Sequence, residues 1–407
     1  MIKLIFYLIS PFLLFLIVIL SPFIHIRLYL LSSERIGELV FSAEEYFKYK
    51  HYNLKENKKF LDVFILTHIV SNKTYVELIS KKLLIFEGNK LFPVFRLIKL
   101  ISKKISYFKK FILYYKDFYN IEKYDKNNIK IFMPNEMIVK GDRFLENIGI
   151  KKNDKIICLL VRNNKYLNQN FPSYNYNYHS YRDCDINNFI DAISIATEKG
   201  YFVFRMGAVK EDLLNINNKK FIEYSSLYRS DFLDVYLANR CEFSLSSGCG
   251  WDALTSFTFR KKHIYVNAAP LMVPLLNRSY PLFSIKLHFD NNKDKFLSLK
   301  EIFQLNLSHG VTTDFYKKKN ITLIENDSED IQNIVLEMIN RIEGNTNYSK
   351  EDDLMKKNFI DICKKYFNYE DSNDINRTTI NPKDTILNQD ISSSFLKKHN
   401  YLLDEQI

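Results

Sequence analysis

Glycine, proline and tryptophan are scarce, with ten, nine and one in 407 residues. So little glycine and proline excludes collagen-like and glycine-rich low-complexity chains. The five cysteines, at 158, 184, 241, 249 and 363, form no CxxC and no regular framework. That spacing argues against a disulfide-stapled secreted fold and for a reducing compartment. No P-loop GK[ST], no HExxH and no GxSxG string occurs, and the eight histidines show no metal-ligand spacing. P-loop, zinc-enzyme and serine-hydrolase chemistries are therefore disfavoured. What is present is ordinary globular material, 46% hydrophobic and 26% charged, which excludes wholesale disorder. Abundant Lys, Asn, Ile and Tyr fit the codon bias of an AT-rich genome, so part of the net charge of +11 carries no functional meaning.

The placement of charge says more than its total. Residues 1–150 hold 24 Lys/Arg against 14 Asp/Glu, and residues 151–407 hold 34 against 33. A basic first third fits a region lying on an anionic surface and does not fit a nucleic-acid channel through the whole molecule. Leu4–Ile26 carries no Asp, Glu, Lys or Arg, follows Lys3 and precedes Arg27 and Arg35. Its length suits a membrane anchor over residues 1–31, with Ser10-Pro11 and Ser21-Pro22 as kink points that also allow a re-entrant hairpin. A signal sequence would need a small-residue cleavage site, which is missing. Residues 96–116 hold seven basic residues and no acid, and helical projection gathers Arg96, Lys99, Lys103 and Lys110 opposite Leu97, Ile101, Ile105, Phe108 and Ile112. That pattern predicts a basic amphipathic helix, either on lipid headgroups or packed with its lysine face in solvent.

The soluble part reads as two α/β domains, 32–150 and 151–343, followed by a polar linker and a C-terminal docking helix over 344–407. In the first, Leu61–Ile69 is of strand length and Ser71-Asn72 caps a helix running through Ser80. In the second, strands at Ile156–Val161, Tyr201–Met206, Phe221–Tyr224, Cys241–Leu245 and His263–Asn267 alternate with helices at Ile186–Glu198, from Ser230 to Ala238 and at Trp251–Phe259. Glu329–Ile342 adds a further amphipathic helix. Strand–helix alternation without Asn-Gly hairpins predicts a parallel doubly wound sheet.

Ligands of such a sheet bind beyond the carboxyl ends of its strands. The residues there are Arg162, then Arg182-Asp183, then Arg205 with Gly207, the loop Ser246-Ser247-Gly248-Cys249-Gly250, and Asn267. Small residues before a helix let backbone N–H groups and hydroxyls approach an anion, although a tight structural turn explains the same string. Arginines at neighbouring strand ends strengthen the anion reading, because a diphosphate calls for bidentate cations. Asp183 in a long polar loop suits a general base, or a simple ion pair with its neighbour. The Asp183-Cys184-Asp185 string resembles a metal-holding D-x-D, but Asp185 is better explained as a helix cap.

The ordered strings IICLLVRNNKYL, YHSYRDCDINNFIDAI, GYFVFRMG, SDFLDVYLANRCEFSLSSGCGW and HIYVNAAPL resemble a family of bacterial surface-polysaccharide glycosyltransferases with a GT-B-like architecture. The likeness covers most of 32–340 and reaches Ser394-Phe395-Leu396 in the tail. It implies two Rossmann-like domains, with Arg162, Arg182, Asp183, Arg205, Gly207, Ser247 and Gly248 on recurrent positions. The Arg162 and Arg182-Asp183 pattern is similar, more loosely, to the arginine-plus-aspartate motif of GT-B fucosyltransferases. Glu38 departs from the histidine expected after Arg35-Ile36-Gly37.

The resulting expectation is a glycosyltransferase that needs no cofactor or metal and takes a nucleotide-diphosphate sugar as co-substrate. The acceptor is a lipid-linked or growing glycan, and the place of action is the cytoplasmic side of the bacterial inner membrane. Asp183 and Arg162 are the expected catalytic residues, with Arg182, Arg205, Gly207, Ser246, Ser247, Gly248, Gly250 and Asn267 around the diphosphate. Two alternatives stay open: a nucleotide-sugar epimerase on the same scaffold, and a non-catalytic membrane scaffold of a polysaccharide assembly system.

Overall fold

The computed structural model describes residues 2–53, 60–118, 131–275, 281–367 and 390–405. The chain divides into two compact units between Met133 and Pro134.

The first unit opens with helix α1 (Ile2–Leu20), strand β1 (His25–Leu31), helix α2 (Ile36–Asn53) and strand β2 (Phe60–Leu66). Helix α3 (Lys73–Ser80), strand β3 (Leu84–Phe86) and helix α4 (Gly88–Ser102) follow. The three strands form a parallel sheet in the order β1-β2-β3. Asn72 caps α3 as expected, its side chain accepting the Tyr75 N–H. The apolar run does not continue as one helix. It turns after Leu20, where Pro22 has no N–H to donate, and from His25 it is sheet. Arg27, read from sequence as the flank of a membrane anchor, instead sits opposite Asp62 in the β1–β2 register. Its Nε and Nη2 donate to Asp62 at 2.6 and 2.8 Å, and the Tyr46 hydroxyl donates to the same carboxylate at 2.6 Å. Among the described residues no helix is long and apolar enough to cross a membrane.

Residues 96–116 are not one helix either. Helix α4 ends at Ser102, a 3-10 turn spans Ser106–Phe111, and Leu113 N–H donates to Leu28 at the edge of β1. The buried Phe111 and Ile112 belong to the unit's core, which pulls the chain out of helical phase.

The second unit is built on β4 (Ile156–Leu160), β5 (Phe202–Arg205), β6 (Phe221–Ile222), β7 (Phe243–Ser246), β8 (Lys262–Ala268) and β9 (Leu282–Ile285). A small antiparallel sheet follows from β10 (Leu287–Asp290), β11 (Lys295–Phe296) and β12 (Ile321–Ile324), and β13 (Asp390–Ile391) returns to the main sheet. The main sheet runs β13-β9-β8-β7-β4-β5-β6 with every neighbour parallel. This is the doubly wound α/β sheet that the alternation predicts. The 190–198 and 328–343 helices bury Ile193, Ala196, Ile334 and Ile339 against it. The second of these carries an Asp327–Asp330 capping box and ends at Gly344, in the left-handed region at φ 73°.

Three boundaries differ from expectation. The 135–147 helix belongs to the second unit, because Gly141 lets Tyr236 lie against it: a Cβ there would sit 2.1 Å from the ring. The Tyr236 hydroxyl also donates to Asp142 at 2.6 Å. Within the stretch read as linker, Lys350–Tyr366 is a helix, started by a Ser349–Asp352 capping box and held by buried Phe359 and Ile362. The rest of that stretch, 368–389, lies outside the described residues. Trp251–Phe259, expected as an α-helix, is largely a π-helical turn over Leu254–Thr258.

Candidate active site

Pairing of Leu160 with Ser246 sets the carboxyl ends of β4 and β7 side by side. Chemistry-bearing loops leave both strands there. Ser247 joins them: its N–H donates to Leu160 at 3.1 Å, and its hydroxyl accepts the Arg162 N–H at 2.8 Å. The 177–184 segment is then drawn to the same edge by three ties. Cys184 N–H donates to the Arg162 carbonyl at 3.0 Å, and Arg182 Nη2 donates to the Gly248 carbonyl at 2.8 Å. From the junction of β9 and β10, the buried Lys286 ammonium donates to the Asp183 carbonyl at 2.6 Å. Lys286 also lies 3.7 Å from Glu325, whose other oxygen accepts the Asp185 N–H at 2.9 Å. Asp185 itself caps the next turn, accepting the Asn187 N–H.

Arg162, Arg182 and Asp183 are thus brought together, as the sequence predicts. Arg162 Nε stands 3.8 Å from Asp183 Oδ1, longer than a hydrogen bond. Arg162 Nε, Arg182 Nε and Asp183 Oδ1 are all buried without a hydrogen-bond partner in the structure. Burial, and then the neighbouring Arg182 cation, hold the Arg162 pKa below its ordinary value. Burial likewise pushes the Asp183 carboxyl up to about 6, although Arg162 and Lys286 pull the other way. Burial lowers the Arg182 pKa too, but Tyr265 and Tyr181 outweigh it and hold the pKa above its ordinary value. Two adjacent guanidiniums with donors left over have the electrostatics of an anion site.

The Ser-Gly loop is organised from beneath. Asp252 accepts the Ser246 hydroxyl at 2.7 Å and the Cys249 N–H at 2.8 Å, and Gly248 N–H donates to Ser246 Oγ at 3.0 Å. The loop's hydroxyls and three of its N–H groups, those of Ser247, Gly248 and Cys249, are therefore engaged within the loop, with Asp252 and with β4. Its contribution at the cleft is the Gly248 carbonyl bound to Arg182. Gly248 adopts φ +86°, and a Cβ on it would stand 2.7 Å from the Tyr265 hydroxyl, so both backbone and space demand glycine. Gly250 is exposed at the end of the loop.

Arg205 and Asn267 take other roles. Arg205 is buried on β5, where Nη1 donates to the Asp212 carbonyl at 2.7 Å and pairs with Glu223 at 3.2 Å. Its charge is spent on organising the β5 exit, where Gly207 packs so close to Ser225 that a Cβ would be 2.9 Å away. Asn267, at φ 56°, exchanges hydrogen bonds with Asn326, clamping β8 to the start of the 328–343 helix. Neither is joined to the arginine pair by a hydrogen bond. Sequence reading missed Lys286, Glu325 and Asp252. Lys286 obeys the strand-end rule that found the others, but β9 carried no strand signal. Among the described residues no three His, Cys, Asp or Glu gather to hold a metal.

Among solved structures the chain is similar to the E. coli ADP-heptose LPS heptosyltransferase II, at 8% identity over 64% of this chain and 90% of that one, with a TM-score of 0.42. It is also similar to a glycosyl transferase family 9 protein from Veillonella parvula, at 11% identity over 76% and 98%, with a TM-score of 0.44. No known family profile and no curated protein sequence matches. Likeness at this level assigns no donor, acceptor or chemistry, which have to come from the chain's own residues.

Proposed function

We propose that the protein is a GT-B-like glycosyltransferase that moves a sugar from a nucleotide-diphosphate donor to a hydroxyl of a lipid-linked or polysaccharide acceptor, at the cytoplasmic face of the bacterial inner membrane. One observation carries the reading: two half-buried arginines with unpartnered donors flank a carboxyl raised to about 6, at the carboxyl edge of a parallel doubly wound sheet. The ordered strings of the second unit, which resemble surface-polysaccharide glycosyltransferases, support it.

In this reading Arg162 and Arg182 hold the diphosphate, and they stabilise the charge that develops on it as the glycosidic C–O bond breaks. The leaving diphosphate keeps the bonding electron pair. The acceptor oxygen forms the new bond to the same carbon, and its proton passes to the Asp183 carboxylate. A carboxyl with a pKa near 6 is mostly ionised at pH 7 yet more basic than an ordinary aspartate, which suits a general base. The chemistry needs no metal in this scheme, since the cationic role falls to the guanidiniums.

Asp183→Asn tests the assignment. Donor affinity, measured by calorimetry, should stay within about twofold while turnover falls by ~10²–10⁴, the span of a lost general base. The rise of wild-type kcat/KM through about pH 6 should vanish in the variant. Arg162→Lys keeps the charge but loses the planar fork, so it should weaken donor binding instead. Equal loss of binding and turnover in Asp183→Asn would make Asp183 a ligand or structural residue. New epimer formed from a nucleotide sugar without any acceptor would sink the transferase reading.

A further inference from the structure

We infer that helix α1 is an in-plane membrane contact: one apolar face lies in the interface of an anionic bilayer while its opposite face stays in the core of the first unit. This concerns attachment only and does not depend on the transfer reaction. At about 100° per residue, Leu8, Phe12, Phe15 and Ile19 fall within an arc of roughly 60°. They are 73%, 62%, 59% and 49% exposed, and Phe23 just beyond the helix is 78% exposed. The opposite side is occupied. Leu14 is buried with Val94, Phe95, Ile98 and Phe111, and Ile17 and Val18 pack on the same cluster. A helix with one face locked into a protein core, and running directly into strand β1, cannot also be surrounded by lipid.

The occupant follows from charge. Helix α1 packs against α4, and the chain from Gly88 to Lys116 has no acidic residue. Lys99, Lys103, Lys104, Lys109 and Lys110 are all exposed along it, with exposed Leu100, Ile105 and Tyr107 between them. Tyr107 ties the two features together: the Lys110 ammonium lies 3.8 Å from its ring centre, and Lys110 and Ser21, which follows helix α1, both lower the pKa of its hydroxyl. An apolar stripe of large side chains bordered by lysines and a tyrosine matches acyl chains beneath anionic headgroups. An uncharged protein surface would satisfy the stripe but not the row of cations.

The test uses the full chain with vesicles of phosphatidylcholine containing 30% phosphatidylglycerol. Phe12→Ser with Phe15→Ser, both at exposed positions, should lower vesicle affinity at least tenfold. Lys99→Glu, Lys103→Glu and Lys109→Glu together should do the same through the charges and leave binding insensitive to salt. Single tryptophans replacing Leu8, Phe15 and Ile19 in a Trp251→Phe background should be quenched by brominated lipids at one common shallow depth. Depths that progress towards the bilayer centre along the helix would overturn the in-plane reading in favour of a span. Unchanged binding in both variant sets would overturn it outright. Concentration-dependent dimers lost in Phe12→Ser/Phe15→Ser, with no vesicle binding by the wild type, would show that a second copy covers the stripe.

Discussion

Replacing Asp252 by asparagine should make the protein's stability respond to pH in a defined way. Asp252 lies buried beneath the Ser-Gly loop, its Oδ2 accepting two hydrogen bonds and its Oδ1 none. Burial pushes its carboxyl from 3.8 up to about 7, against the pull of the Ser246 hydroxyl. Between pH 4 and 7 the folded protein therefore holds a proton that the unfolded chain has released, and stability falls as pH rises through that interval. At about 1.36 kcal/mol per pH unit, the full interval corresponds to roughly 4 kcal/mol, and the part between pH 5 and pH 7 to roughly 2–3 kcal/mol. Asparagine keeps the two acceptor contacts, has no charge to lose, and buries an amide N–H₂ at a cost of about 1–3 kcal/mol that does not change with pH. Relative to wild type, the variant should thus be about equal or less stable at pH 5 and about 1–3 kcal/mol more stable at pH 8. Urea unfolding of both proteins at pH 5, 6, 7 and 8 reads this directly, because other titrating groups cancel in the difference. A swing below about 0.5 kcal/mol would mean that Asp252 ionises in the folded protein at its ordinary pKa, as a solvated carboxylate does, and the burial beneath the loop would be refuted.

Gly248→Ala should cost about 2–5 kcal/mol, from a left-handed backbone plus a Cβ 2.7 Å from the Tyr265 hydroxyl, and Gly248→Ala/Tyr265→Leu should recover part of it. Additive losses in the denaturation cycle would show that the close approach is not the cause. Asp62→Ala should destabilise by about 3–5 kcal/mol, since it strands a largely buried Arg27, whereas Arg27→Met/Asp62→Leu should lose much less. A negligible effect of Asp62→Ala on thermal unfolding would contradict the placement of Arg27 within the sheet.

Five strands of the second unit's main sheet, β4 to β8, were legible because they are short apolar runs bounded by caps, whereas β9 and β13 were not read. Asp185, Ser230 and Asp327 each cap the turn or helix that their sequence position suggests. What escaped detection lacked local signals. Strands β10 and β11 are joined through Asn291–Asp294, with Asp294 at φ 52°, and without the Asn-Gly pair that marks a tight hairpin. Strand β1 was hidden for a different reason. The apolar run leading into it reads equally as a span or as buried parallel sheet, with Arg27 as its flank, and only the Arg27 partner Asp62, distant in sequence, reveals which it is.

The same distinction governs the site. Reading residues at strand ends locates groups that share an edge, but it cannot say which of them have charge left to offer. Arg162 and Arg205 look equivalent in the sequence, each at the end of an apolar strand. They differ because the chain after β5 brings Glu211 and Glu223 to within 3.9 and 3.2 Å of the Arg205 guanidinium. Among the described residues Arg162 forms an ion pair only with Asp183, at 3.8 Å, and has Arg182 as a repelling neighbour. Ser247 shows the complementary case: its hydroxyl, a phosphate donor by sequence, is instead the acceptor that fixes the Arg162 backbone. The loop therefore acts on the proposed diphosphate through the arginines it orients, Arg162 by Ser247 and Arg182 by the Gly248 carbonyl, rather than through a cradle of its own N–H groups. Substitutions in that loop should accordingly track the loss of arginine geometry, and they should resemble Arg162→Lys more closely than they resemble Asp183→Asn.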